Sequence, residues 1–387
     1  MLNRRLLRSK AVQALYASRI SADANLHLAK DEIAAAYLPD LNSMEPQNLE
    51  RLEGLKRLAL LTLDEYLENG QPAADDQVPR EVVQTAQRAY QNFVQQNNID
   101  RPLVVKRVLQ ETEGIYDEFL RVLALLLELA HQAELDRERV VRNPDNPFPT
   151  ASGLNDNEVV RLMRADAELE VEVIRRGISW SNDMSVVRKT YREALCKDEQ
   201  YLAYCQQDAH TPEEDQKLAQ HVLRNIILKH EIPTEHFEQS DLYWEEHFDI
   251  IRSMAIKTLR SAGTGKIQLA ELTEDWDEDR FFVEELFKKA IENDAEYQGY
   301  VLEQLKNWDP DRVALLDMII MKTALAELIH FPGIPVKVTI NEFIEIAKRY
   351  STLKSGSFVN GNLDRLAKRL SESGVIRKSG RGLIDNK

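Results

Sequence analysis

Little in these 387 residues has the spacing that catalysis needs. The nearest approach to a phosphate loop is Gly263-Thr264-Gly265-Lys266. It fails, because Ile267 stands where a hydroxyl would meet magnesium and Arg260 where the first glycine belongs. His230 and Glu231 begin like a zinc-protease helix, yet the next histidine is His236 and Pro233 intervenes, so two ligands one helical turn apart are not on offer. Cys196 and Cys205 form no C-x-x-C pair, and no nucleophile elbow, dinucleotide fingerprint or Cys/His cluster occurs. The expectation is a non-enzymatic chain with no catalytic residue, metal or cofactor.

The chemistry that remains is binding. In a helix beginning near Asn3, Arg4, Arg5 and Arg8 fall within an arc of about 100°, and Lys10 adds a fourth cation before any acid appears. Arg5, Val12 and Tyr16 share a stripe, which puts a flat aromatic face on the line of a guanidinium. Arginines beside an aromatic suit single-stranded RNA, through counterion release and base stacking. A solvated basic helix end and an organellar presequence fit the same residues. A second candidate is SGSFVNGNLDRLAKRL, where Asn360 lies in or at the start of a helix and Lys354 precedes it. Phe358 there is either a core plug or another stacking face near backbone N-H groups that would favour phosphate.

Charge supports this placement at the ends. The net charge is −15, which by itself argues against a polyanionic partner. Residues 1–10 carry +4, and residues 335–387 hold eleven Lys/Arg against five Asp/Glu, so the remaining 324 residues carry −25. Two basic ends flank an acidic middle, as expected if the fold joins the ends to meet a polyanion. With 43% hydrophobic residues the chain can build real cores, and 27 Gly plus Pro exclude collagen-like and linker classes. Two cysteines exclude a disulfide scaffold and suggest a reducing cytosol. The longest apolar run, Val122 to Leu127, is far too short to span a membrane.

These residues must be positioned by helices, since helical periodicity dominates and alternating β-branched runs are nearly absent. The expected class is all-α. Turns are expected at 69–79, 142–157, 206–212, 261–266 and 331–335, with Pro144, Pro147 and Pro149 as the best boundary. Asp309 and Pro310 should open a helix reaching about Ile329. Ile340, Phe343, Ile344 and Ala347 place another to about Tyr350; Val359, Leu363, Leu366 and Leu370 form the stripe of a last one. Residues after Gly374 read as a flexible basic tail. The 26 residues from Trp180 match those from Trp276 without a gap, seven of them identical. A looser echo sets Trp244, Met254 and Ile256 against Trp308, Met318 and Ile320. Either a duplicated helical unit or the general likeness of amphipathic helices explains both.

Four blocks in order give the sequence a family likeness: the Arg-rich start with VQALY, then DRVALLD, IPVKVTINE and FVNGNLD. Together they resemble NusB, the bacterial transcription antitermination factor, over residues 1 to about 20 and about 279 to 372. The resemblance implies an all-helical RNA-binding bundle that pairs with the ribosomal protein NusE. It also implies binding to boxA-type single-stranded RNA, and an antitermination assembly on RNA polymerase, notably on ribosomal RNA operons. By position it assigns Arg4, Arg5, Arg8, Lys10, Tyr16, Lys354, Phe358 and Asn360 to RNA and Asp311 to the NusE-facing helix. A basic first helix that belongs to a fold need not be a cleaved leader, and a cytoplasmic site follows.

Two departures stand out. The family's compact form has about 140 residues, so some 255 here lie between the first helix and the recognisable core, and Leu6 stands where a further Arg is common. The implied organisation is a first helix at 1–20, a helical insertion at 21–150 and 151–265, the NusB-like core at 266–375 and a basic tail at 376–387. Two other readings remain. One is the RNA-binding part of a ribosomal RNA cytosine methyltransferase, which would need a cofactor domain downstream; the other is a helical scaffold or oligomerisation module whose RNA site has decayed.

Overall fold

The computed structural model describes residues 2–42, 46–70, 78–142, 153–305 and 313–386. Every regular element among them is helical and none is a strand, as the periodicity requires. Two compact units emerge. A terminal unit comprises Arg4–Leu109 and Asp277–Lys387, and a middle unit comprises Met1–Asn3 and Gln110–Trp276.

The chain begins with α1 (Arg4–Ala36), which runs well past residue 20, then α2 (Leu49–Asn69) and α3 (Arg80–Arg142). Asn48 caps α2 by accepting from the Arg51 amide at 3.0 Å, and Gly70 ends it at φ 72°, a left-handed conformation that glycine adopts freely. Ala29, Ile33, Leu63, Tyr66, Val82, Ala86 and Ala89 bury one shared core among these three helices. Asn25 bonds Asn97 and Asp100 at 2.8 Å each, tying α1 to the first half of α3.

The second half of α3 is the spine of the middle unit. The apolar run noted in the sequence lies here, with Val122, Leu123, Leu125 and Leu126 fully buried, as are Phe119 and Leu120 just before it. Around it lie α4 (Glu158–Arg164), α5 (Ala167–Arg175), α6 (Met184–Lys189), α7 (Glu199–Cys205), α8 (Pro212–His221), α9 (Glu231–Ser240) and α10 (Trp244–Ser261). A Thr211/Glu214 capping box with Pro212 in the first turn starts α8. His230 caps α9, its Nδ1 accepting from the Ile232 amide at 3.3 Å, which is the use the structure finds for the His-Glu pair. The prolines at 144–149 lie outside the described residues. This unit holds 33 acidic and 19 basic residues, hence 14 of the 15 net negative charges.

The chain then returns to the terminal unit through α11 (Trp276–Glu292), α12 (Asp294–Gln304), α13 (Leu315–His330), α14 (Val336–Tyr350) and α15 (Ser355–Glu372). Helix α13 is apolar on nearly every side and packs against α1, α12, α14 and α15, as an all-round hydrophobic helix must. It starts at Leu315 after Ala314, whose ψ of 135° is not helical, rather than continuing from the expected start at Asp309 and Pro310, which with Asp311 lie outside the described residues. The stripes foreseen on α14 and α15 are buried at Ile340, Phe343, Ala347, Val359, Leu363, Leu366 and Leu370; Ile344 stays at the surface edge.

The looser echo, at an offset of 64 residues, proves the more extensive one. Adding 64 to α8 and the π-helical turn after it (Val222–Ile227) gives α11 nearly end to end, α9 maps onto α12, and α10 overlaps α13 from Ile251 onward. Leu218, Val222, Leu223, Phe237 and Ala255 match Phe282, Leu286, Phe287, Val301 and Ile319, and all ten are buried. The segment from Trp180 instead breaks into short α, π and 3-10 turns where α11 is continuous.

Residues after Gly374 are docked rather than free. Ile376 is buried, the Ser379 amide donates to the Pro332 carbonyl at 3.0 Å, and Lys378 Nζ donates to the Phe331 carbonyl at 3.1 Å. Burial holds the Lys378 ammonium down to a pKa of about 8. Gly382 crosses so near this turn that a β-carbon would sit 2.1 Å from the Pro332 oxygen. Gly382→Ala is therefore expected to undock the segment, raising tryptic cleavage at Arg377 and Lys378 by about tenfold while the global unfolding midpoint barely moves. Unchanged cleavage would show that the crossing is not what holds it.

Candidate functional site

Packing of α1 against α13 and α14 decides where the N-terminal arginines go. Arg4 pairs with Glu278, lies 3.8 Å from Asp279, and sets its guanidinium 4.7 Å above the Phe282 ring. Arg5 forms a fork with Glu342, Nε to Oε2 at 2.8 Å and Nη2 to Oε1 at 3.0 Å, yet its side chain stays 54% exposed. That hydrogen bond, opposed by desolvation and aided by the charges of Glu342 and Glu345, raises the Arg5 pKa. Arg8 points inward. Its side chain is 3% exposed and forks at 2.6 and 2.9 Å onto Glu327, which is wholly buried and also accepts from Thr339 Oγ1 at 2.7 Å.

Beside Arg5 lies an open groove of ≈ 760 Å³ lined by Asn341, Ile344, Glu345 and Lys348 of α14 and Gly356, Ser357 and Asn360 of α15. Lys348 Nζ donates to Glu345 Oε1 at 2.7 Å, and that bond and charge hold the Glu345 carboxyl below its usual range. Gly356 gives the Lys348 stem its path, since a β-carbon there would lie 2.7 Å from Lys348 Cγ. The start of α15 is pinned to the core by Ser355 Oγ donating to Asp317 Oδ2 at 2.8 Å. The groove thus offers two cations, amide and hydroxyl groups, an apolar floor at Ile344 and one carboxylate, Glu345, with Glu342 beside it on Arg5.

Of the residues singled out in the sequence, Arg5 and Asn360 meet in this groove. Lys354 is exposed just before α15, and Phe358 is half-buried one turn into it. Tyr16 is 41% exposed, eleven residues along α1 from Arg5 and outside the groove lining. Arg8 and Lys10 are enclosed, so the basic arc presents to solvent only its Arg4 and Arg5 portion. Asn341, Lys348 and Ser357 had not been singled out, and Ile344 had been read as part of the core stripe. The signal was present: 341, 344 and 348 share a helical face at the edge of the stripe 340, 343, 344, 347. Among the described residues no group of three or more His, Cys, Asp or Glu is placed to hold a metal, and no helix is long and apolar enough to cross a membrane. Burial pushes the Cys196 thiol up to about 12 and Cys205 up to about 11, so both stay protonated.

Helix α14 and most of α15 lie within residues 248–368, which match the family model described as the NusB family. The transcription antitermination protein NusB of Agathobacter rectalis is 39% identical over 97 residues, a quarter of this chain and 74% of that protein. The chain belongs to the NusB family. The NusB proteins of Chloroherpeton thalassium and Salinibacter ruber are 42% and 41% identical over 104 and 105 residues, 27% of this chain in each case. The chain spans about half (49%) of the first and 66% of the second. No solved structure matches it. The family stretch holds all the groove residues except Arg5, and most of the acidic middle unit lies outside it.

Proposed function

We propose that the protein is a cytoplasmic, non-enzymatic RNA-binding factor of transcription antitermination. It takes boxA-type single-stranded RNA together with NusE and joins an RNA polymerase elongation complex, chiefly on ribosomal RNA operons. The observation that carries this reading is the groove: Arg5 from the first helix meets Asn341, Lys348, Ser357 and Asn360 inside the family stretch. Cations at the rim suit phosphates, and amides beside an apolar floor suit an unstacked base edge. Lys354 and Arg4 extend the cationic rim, Phe358 and Tyr16 supply flanking stacking faces, and Arg8 and Lys10 serve from within by fixing α1. Asp311 faces NusE in this scheme. The acidic middle unit repels RNA, which confines the strand to the terminal unit, and favours a basic protein partner.

Anisotropy titrations of the full chain with a boxA-type RNA and a scrambled one, across a salt series and with and without NusE, test this. Arg5→Glu is expected to weaken boxA binding by tenfold or more and to lower the salt slope by about one unit or more. Equal affinity of the wild-type chain for both RNAs, or an unaltered slope in the variant, would overturn the assignment.

A further inference from the structure

The cations of the groove are already partnered: Arg5 by Glu342, and Lys348 by Glu345. A surface selected only to attract phosphate would leave them bare, because each carboxylate cancels a charge where the polyanion arrives. The Arg5 fork does something else. It occupies Nε and Nη2 and fixes the plane of the guanidinium, leaving Nη1 on a half-exposed side chain. Glu342 is itself steadied from below, its Oε2 lying 3.9 Å from Nη1 of buried Arg8, which Glu327 clamps. Carboxylate and guanidinium thus alternate from the core outward, as Glu327, Arg8, Glu342 and Arg5.

We propose that Glu342 is a specificity-setting residue of the RNA groove. It holds Arg5 in one orientation and cancels its charge toward strands whose bases do not fit Asn341 and Asn360. Charge attraction alone then gives little, and base contacts must complete binding. The inference rests on the RNA-binding reading above. An ion pair this exposed is weak, so a phosphate presented in the right register can share Arg5 with Glu342.

The test uses the full chain carrying Glu342→Gln, titrated with the boxA-type and scrambled RNAs. Affinity for the scrambled RNA is expected to rise about three- to tenfold, its salt slope to steepen by about one unit, and the ratio of the two affinities to fall at least about threefold. Arg5→Lys keeps the charge but cannot form the fork, and should lower the ratio without steepening the slope. Thermal midpoints of both variants separate this from misfolding. If wild type discriminates and both variants discriminate equally well, Glu342 is not a specificity residue and the RNA reading stands. If both RNAs weaken in parallel with a lowered midpoint, Glu342 is merely structural. A wild-type chain that binds neither RNA overturns the RNA reading and this inference together.

Discussion

Arg8→Met is expected to destabilise the terminal unit by about 3–5 kcal/mol, because it leaves the Glu327 carboxylate buried without its cation. Glu327 has no exposure, and its other hydrogen bond comes from Thr339. Water cannot replace the lost guanidinium, so either the charge is neutralised at a cost or α1 lifts from α13. Glu327→Leu alone should destabilise comparably by stranding Arg8. The double variant Arg8→Met/Glu327→Leu should recover most of the loss, since an apolar pair of similar volume needs no desolvation of ions. Denaturant unfolding of the four proteins as a double-mutant cycle measures the coupling. Additive losses would sink the claim that the two side chains act as one buried unit. The same pair governs how variants of the proposed RNA site are read. Arg8→Glu would set two carboxylates together in the core, so any loss of RNA binding in it would report unfolding, whereas Arg5→Glu acts on an exposed side chain.

The identity of Arg8 could not be settled from spacing. Arg4, Arg5 and Arg8 share one helical arc, and the sequence has nothing to say which of the three meets an acid 319 residues away. Once α13 is seen to be apolar on nearly every side, with Lys322 engaged by Asp294, buried Glu327 requires a cation from elsewhere, and that argument needs the tertiary pairing. The late helices were legible because their stripes and proline stops are local signals: α14 ends at Tyr350 as the periodicity demands. Other features depend on the whole chain. Summed along the sequence, the ends look basic; summed by unit, the terminal unit is almost neutral, with 32 acidic and 31 basic residues, because α2, α3, α11 and α12 bring acids to it. The acidity resides in the middle unit instead. The docked tail was hidden for a similar reason, since a Gly-rich basic segment reads as solvated until a carbonyl is found beneath Gly382.

Glu118→Gln is expected to stabilise the middle unit at neutral pH by on the order of 1–3 kcal/mol. Glu118 sits on the inner part of α3 with a side chain 14% exposed, and its Oε2 is buried without a hydrogen-bond partner. Arg121 is 3.7 Å away, with an Nε that also lacks a partner, while Asp241 and Asp117 add like charge. Burial, opposed by Arg121 and reinforced by the two aspartates, pushes the Glu118 carboxyl up to about 7 from an ordinary 4.5. The folded state therefore holds this proton more tightly than the unfolded chain does. The carboxylate imposes no penalty below about 4.5, a growing one as pH rises through the window, and its full penalty above about 7. Other carboxylates lose their partners as pH falls, so the quantity to follow is the difference between variant and wild type. Unfolding free energies of both proteins, measured every half unit or so across that window, should show the variant's advantage shrinking steadily toward the acid end. A difference independent of pH would mean that Glu118 titrates alike in the folded and unfolded chain, its burial being offset by Arg121. A variant less stable throughout would mean that its attraction to Arg121 outweighs its desolvation.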